Sequence, residues 1–333
     1  MNKKGKISYA KYGYIFSIPF IVAYLIFSLY PTLYTAVIGF TDLKGVSKTS
    51  WNFLDDIFGN YKEVFNMPLF KLALKNTVKL WVCNFVPQLT LALLLSAWFT
   101  NHRTKVPGEG IFKVLFYMPN IITSATVAIL FGALFGYPMG PVNDLLKRFF
   151  DMDAFYFMNS KTAARGIIIF IQTWMWYGYT MIIIISGVLG ISPDIFEAAD
   201  IDGANGWQVF WKITIPNIKT ILLFTLVTSL IGGLNMFDIP YLLVSESGPD
   251  NATLTTNVLI YMQAFKGGYM YNRASAMSMI MFVIIVACSA ILFFIMRDKE
   301  EAALRKMQKA ELKARKQALK LAAKSQEAVN DSQ

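Results

Sequence analysis

Residues 197–216 read EAADIDGANGWQVFWKITIP, and the reading of this segment decides the fold. Two long apolar runs flank it, at roughly 166–190 and 218–243. Upstream, Ser192–Pro193 has the form of a helix start, with Ser as N-cap and Pro at the first helical position. Asp194, Glu197 and Asp200 recur every three residues and form an acidic stripe. Ala198 and Ala199 lie beside it, where small side chains let another surface approach the backbone. Asp202–Gly203 is a stop signal, since Gly takes the left-handed conformation freely. Asn205 restarts a helix, and Gln208 three residues on completes a capping-box-like pair. Trp207, Phe210, Trp211 and Ile213 give this second helix an apolar face, and Pro216 marks the turn into the next run. The loop 191–217 thus reads as helix, glycine turn, helix. Physics alone leaves two readings open: a connector held at the headgroup level by its aromatics, or a docking element for another protein.

The composition sets this loop in a membrane protein. The chain has 333 residues, 55% hydrophobic and only 16% charged, with mean hydropathy +0.46. Soluble domains carry about a quarter charged residues. Six runs are long enough to span a bilayer, which takes about 20 apolar residues: roughly 13–40, 76–100, 112–135, 166–190, 218–243 and 274–296. The first follows a basic start, as a signal peptide would. Its length and the lack of a small-residue cleavage site make it an uncleaved span. Pro19, Pro31, Pro87 and Pro119 fall inside spans, where neighbouring helices tolerate such breaks. Gly132–Gly136 forms a GxxxG, read as helix packing. The two cysteines, Cys83 and Cys288, sit in apolar runs, and His102 is the only histidine, so neither a disulfide framework nor a metal site is expected. The chain has no GxxxxGK.

Six spans put both termini on one side. Lys3, Lys4, Lys6 and Lys11 precede the first span, and ten Lys or Arg follow the last. The positive-inside rule then places both ends in the cytoplasm. The loops alone do not carry this asymmetry, so the orientation rests on the termini. The net charge of +10 fits this orientation and attraction to anionic lipid better than nucleic acid. The organisation is a cytoplasmic N-terminus (1–12), a six-span domain (13–296) and a basic tail (297–333) rich in Ala, Lys, Glu and Leu, read as helical or frayed.

The segment EAADIDGA followed by WQVFWKITIP resembles the EAA motif of ATP-binding-cassette importer permeases. In those proteins it is a short coupling helix that fits a cleft on a separate ATPase subunit. NTVKLWVCNFVPQLTLALLLS (76–96) and FKVLFYMPNIITSATVAILF (112–131) are similar to the family's second and third spans. SESGPDNATLTTNVLIYMQAF (245–265) resembles the outer-loop pattern of sugar permeases, with Ser247 in place of the first Gly of GGP and with Gly248 and Pro249 matching. The chain looks most like the larger permease subunit of maltose-type oligosaccharide importers, without the additional N-terminal spans and large external domain of the enteric maltose subunit. The resemblance implies an all-α membrane protein with six transmembrane helices, the type I importer permease fold and a cytoplasmic coupling helix. It implies that Glu197, Ala198, Ala199, Asp202, Gly203 and Ala204 form the docking element. It also implies a second permease subunit as heterodimer partner, two ATPase subunits that carry ATP and Mg, an extracytoplasmic sugar-binding protein, and a bacterial cell membrane.

A sugar pathway needs hydrogen-bonding groups and flat aromatic faces near the bilayer centre. At about 1.5 Å per residue, QTWMWYGY (172–179) lies roughly 10–20 Å into the fourth span. An aromatic belt would sit at span ends instead. The resemblance places the sugar site on this segment, with Gln172, Met175, Trp176 and Tyr179 on one helical face and Trp176 standing where the relative has Gly. Asn120 and Ser124, an i, i+4 pair on the third span, match two sugar contacts of the relative. Their other reading is helix–helix hydrogen bonding. Ser229, Asn235, Phe237 and Asp238 are the fifth span's candidates. Asp238 either lines the pathway, where an intramembrane acid is functional by default, or is wet at the outer mouth.

The expected function is that of a permease subunit in an ATP-driven oligosaccharide importer, with no bond chemistry and no cofactor of its own. A same-family permease for another solute, such as a polyol or glycerol phosphate, is the alternative. A phosphorylated solute would want Arg or Lys in the pathway, and 172–179 has none. An ion-driven transporter would want intramembrane carboxylates or basic residues, for which Asp238, Lys79 and Lys219 are poor material. A membrane enzyme lacks clustered nucleophiles or ligands.

Overall fold

The computed structural model describes residues 10–46, 50–101, 106–244, 247–296, 307 and 310–312. Most of the expected cytoplasmic N-terminus and basic tail, together with His102, lie outside them. Helices α1 (Ala10–Tyr24) and α2 (Tyr30–Ile38) join through a π-helical turn at Leu25–Leu29 just before Pro31. Together they supply one apolar stretch, Tyr12–Ile38, exposed along most of its length, with Ile38 buried at its end. After α3 (Gly59–Asn66), the second span is α4 (Pro68–Phe99), which begins with Pro in its first turn. It starts eight residues earlier than the hydropathy edge at 76 because its outer turns pack under the loops.

The third span is not one helix. Helix α5 (Glu109–Tyr117) tightens into a 3₁₀ turn at Met118–Ile121, and α6 (Ser124–Leu134) departs at 91°. Pro119 has no N–H to continue the ladder. Ile122 and Thr123 are extended, and the Thr123 hydroxyl accepts from the Thr126 N–H at 3.3 Å, capping a fresh helix. The expected i, i+4 pair of Asn120 and Ser124 is therefore corrected: a break separates them. The fifth span is interrupted too. Helix α12 ends at Leu234, and α13 (Asp238–Leu243) starts after an irregular turn.

Helix α7 (Pro141–Phe150) precedes α8 (Lys161–Leu189). The loop helices α9 (Pro193–Ile201), α10 (Gly206–Gln208) and α11 (Ile215–Asn217) lead into α12 (Lys219–Leu234). Helix α14 (Thr256–Phe265) and the last span α15 (Tyr271–Met296) follow. Among the described residues five stretches are long and apolar enough to cross a membrane, and the bent pair α5–α6 makes a sixth. By this connectivity α3, α7 and α14 share one end of the bundle with the outer loops, and α9–α11 lie at the other.

Helices α4 and α8 form the backbone of the core, with Leu80, Ile168, Ile171 and Met175 buried between them and α6. Polar cross-links fix their register: Gln88 donates to the Thr180 hydroxyl at 2.8 Å, and Ser96 to the Met181 carbonyl at 3.1 Å. Gly178 lets the end of α5 reach α8, since a Cβ there would stand 2.0 Å from the Phe116 carbonyl oxygen. At the outer end Arg165 donates to the Ala252 carbonyl and to Asn76, which itself donates to the carbonyls of Asn251 and Leu254. Asn60 closes the first outer loop by donating to the carbonyls of Gly39 and Thr41 and accepting from Asn272.

Candidate functional site

The inner loop is built as its local sequence dictates. Ser192 sits at the N-cap position of α9, but its hydroxyl donates to the Asp194 carboxylate at 3.3 Å and does not cap the backbone. The helix closes in a Schellman turn: Gly203 has φ 72°, its N–H donates to the Asp200 carbonyl at 3.1 Å, and the Ala204 N–H donates to the Ala199 carbonyl at 2.9 Å. Asn205 and Gln208 then form a reciprocal capping box, each side chain accepting from the other's backbone N–H. Between the short α-helical turns α10 and α11, Val209–Thr214 widens into a π-helix.

Glu197, Ala198, Asp202 and Gly203 are exposed, and Ala204 is half-buried. Ala199 is buried at 6% exposure. Its side chain belongs to the protein's interior and gives no surface to a partner, which corrects its place in the expected docking face. Trp207 (69% exposed) and Trp211 stand edge to face, with centroids 5.5 Å apart. The expected apolar face of the second helix is thus split: these two rings point out, while Val209 and Thr214 turn in.

The second element is a cavity of about 300 Å³ halfway along the spans. Four helices and the 235–238 turn surround it. Of the expected residues, Ser124, Gln172, Trp176, Tyr179, Ser229, Asn235, Phe237 and Asp238 line it. Asn120 lies on the far side of the α5–α6 break and is not in the lining. Met175 packs into the core with Leu80 and Ile171. Trp176 and Tyr179 present perpendicular ring faces, centroids 6.0 Å apart.

The structure adds a wall that residue-by-residue reading passed over: Trp81, Asn84 and Gln88 on α4, with Thr180, Thr225 and Thr228. The signal was present, since Asn84 and Gln88 are polar and four apart in the middle of an apolar run. Trp81 is held rigidly, its Nε1–H donating to the Ser229 hydroxyl at 3.2 Å and its ring seated on Gly233, where a Cβ would stand 2.0 Å from Cδ1. Buried Asn84 and Gln88 are held to α8: the Asn84 carbonyl accepts from Thr173 and Gln88 donates to Thr180. The Thr225 hydroxyl is buried without a partner among the described residues. Aromatic plates, amides and hydroxyls together make a surface for a polyhydroxylated solute.

These features define a class: a multi-span helical permease with a solute cavity and an exposed loop helix at one face. Residues 80–306 match the family model of the binding-protein-dependent transport system inner membrane component, and the chain belongs to that family. It is a multi-pass membrane protein. Similar curated proteins include the lactose transport system permease protein of Rhizobium radiobacter, 31% identical over 86% of this chain and 95% of that one. A probable ABC transporter permease protein of Bacillus subtilis is 32% identical over 84% and 89%. The arabinooligosaccharides transport system permease protein of the same organism is 26% identical over 84% and 86%. A solved bacterial ABC transporter for import of the acidic polysaccharide alginate shares the fold, with TM-score 0.73 at 24% identity over 85% of this chain and 94% of that one.

Proposed function

We propose that this chain is the permease subunit of an ATP-driven importer of oligosaccharides. It forms part of the translocation pathway and does no bond chemistry. A second permease completes the pathway, two ATPase subunits dock on the inner face, and an extracytoplasmic sugar-binding protein delivers solute to the outer one. Both termini are cytoplasmic, as the basic ends favour.

One observation carries this reading: α9 connects α8 to α12 through 29 residues (190–218), and those two helices hold the cavity's Trp176, Tyr179, Thr225 and Ser229. A push on α9 is a push on both cavity walls. ATP-driven closure of a docked ATPase pair then biases the spans between inward- and outward-facing states, provided that the docked partner has different affinities for the two. Glu197, exposed on α9, is the residue to pair with a basic group of the ATPase.

The test is sugar uptake in vesicles by the complex carrying Glu197→Lys. Insertion of the permease is kept and uptake is lost. Uptake at the wild-type rate overturns the docking role, and uptake that survives removal of the ATPase subunits overturns the ATP-driven reading.

A further inference from the structure

The cavity's charge is as informative as its shape. Among the described residues its lining has no Lys, Arg or His and one carboxylate, Asp238. Asp238 is the first residue of α13, exposed, and its side chain makes no ion pair among the described residues. A helix-start acid gains from the local dipole wherever it sits, which explains its tolerance there but not its position in the solute space.

The nearby cations are committed elsewhere. Arg165 donates to the Ala252 carbonyl and Asn76 at the outer end. Lys266 stands over the Tyr241 ring, 5.2 Å from its centroid, outside the lining. Lys79 falls about 200° around α4 from Trp81, off the cavity wall.

From this we infer that Asp238 is a charge filter, setting the pathway for neutral or amine-bearing oligosaccharides and against uronic-acid ones. The inference rests on the oligosaccharide reading for its substrates. A carboxylate-bearing sugar brought within about 4 Å of Asp238 meets repulsion of about 1 kcal/mol even at the dielectric of water, and more in a drier cavity. That corresponds to about fivefold in affinity or more. Neutral pyranose rings meet the Trp176 and Tyr179 faces and the Gln172, Thr225 and Asn84 groups without that penalty. A protonated amino sugar gains from the same carboxylate.

The experiment is a titration of the purified complex with β-1,4-linked trimers of glucose, glucosamine and glucuronic acid, read by quenching of cavity tryptophan fluorescence. Trp176→Phe identifies the signal. The expected result is glucuronic-acid trimer at least about fivefold weaker than glucose trimer, with the ratio moved toward one by Asp238→Asn. Asp238→Ser makes the same test should the first variant fail to insert. Equal affinity for the neutral and acidic trimers, or a ratio unmoved by the variant that inserts, overturns the filter. Quenching by no trimer overturns the oligosaccharide reading instead. The filter is then judged by ions: a ratio of caesium to iodide quenching of Trp176 that falls in Asp238→Asn supports it, and a ratio unchanged in that variant overturns it.

Discussion

The inner loop and the mid-span cavity are built by opposite means. In the loop, the structural bonds join near neighbours: Asn205 and Gln208 are three apart, and the Schellman bonds span three and five residues. In the cavity, the deciding bonds join residues 92 apart (Gln88 and Thr180) and 148 apart (Trp81 and Ser229). A part that carries a push must keep its shape while its partner moves, and local bonds do that without help from the bundle. A part that opens and closes must draw its walls from elements that can shift against one another.

Four substitutions and a titration press on this contrast. Glu197→Lys has the largest effect, lowering coupled uptake by roughly tenfold or more, the scale of one lost charge-assisted contact. Thermal unfolding in detergent should be unchanged, because Glu197 is exposed; a lowered melting temperature breaks the claim that the loop acts apart from the bundle. Gly178→Ala is the converse. Its methyl would enter the Phe116 carbonyl, so a destabilisation of about 1–3 kcal/mol is expected, with α5 displaced and the cavity altered.

Asn205→Ala removes one arm of the capping box and costs about 1 kcal/mol locally. Hydrogen exchange should speed up at residues 206–209 and not along α4 or α8; exchange rising in both would show that the two regions are one cooperative unit. Trp81→Phe keeps a ring on Gly233 but removes the bond to Ser229, worth about 0.5–1.5 kcal/mol. Solute affinity should fall a few-fold, with ATPase docking intact by co-purification.

The smallest effect is on the outer loop. Lys161 donates to Asp250 across 2.6 Å, and this bond holds the Asp250 carboxyl below the usual carboxylate range. A carboxyl depressed in the folded state stabilises it above the unfolded value and loses that contribution as pH falls through the folded one. Mild acidification below pH 4 should therefore loosen residues 247–253 first, seen as faster proteolysis there. Both partners are exposed, so the whole-protein melting temperature should barely move.

Legibility followed the same division. The glycine stop and the capping box of the loop were readable because Gly203, Asn205 and Gln208 announce themselves to their neighbours, whereas Ser192 holds the N-cap position without capping the backbone. The burial of Ala199 was not, since which side of a short helix meets the bundle depends on where α8 and α12 leave it. Ser124, Trp176 and Asp238 were nameable as polar or flat groups deep in apolar runs. Met175 and Asn120 were not separable from them by periodicity: Met175 sits at the edge of the same helical face, and Asn120 is removed by the 91° bend at Ile122–Thr123.

The sequence by itself determined that this is a membrane bundle with an acidic, capped helix between two spans, because hydropathy and capping are properties of a residue and its near neighbours. Tertiary structure alone decided that the third span bends by 91°, that Trp81, Asn84 and Gln88 face the same space as Trp176, and that Asp238 is the carboxylate in that space. Such facts depend on which helix faces which, and in an apolar solvent that choice falls to close packing at Gly178 and Gly233 and to hydrogen bonds between distant residues.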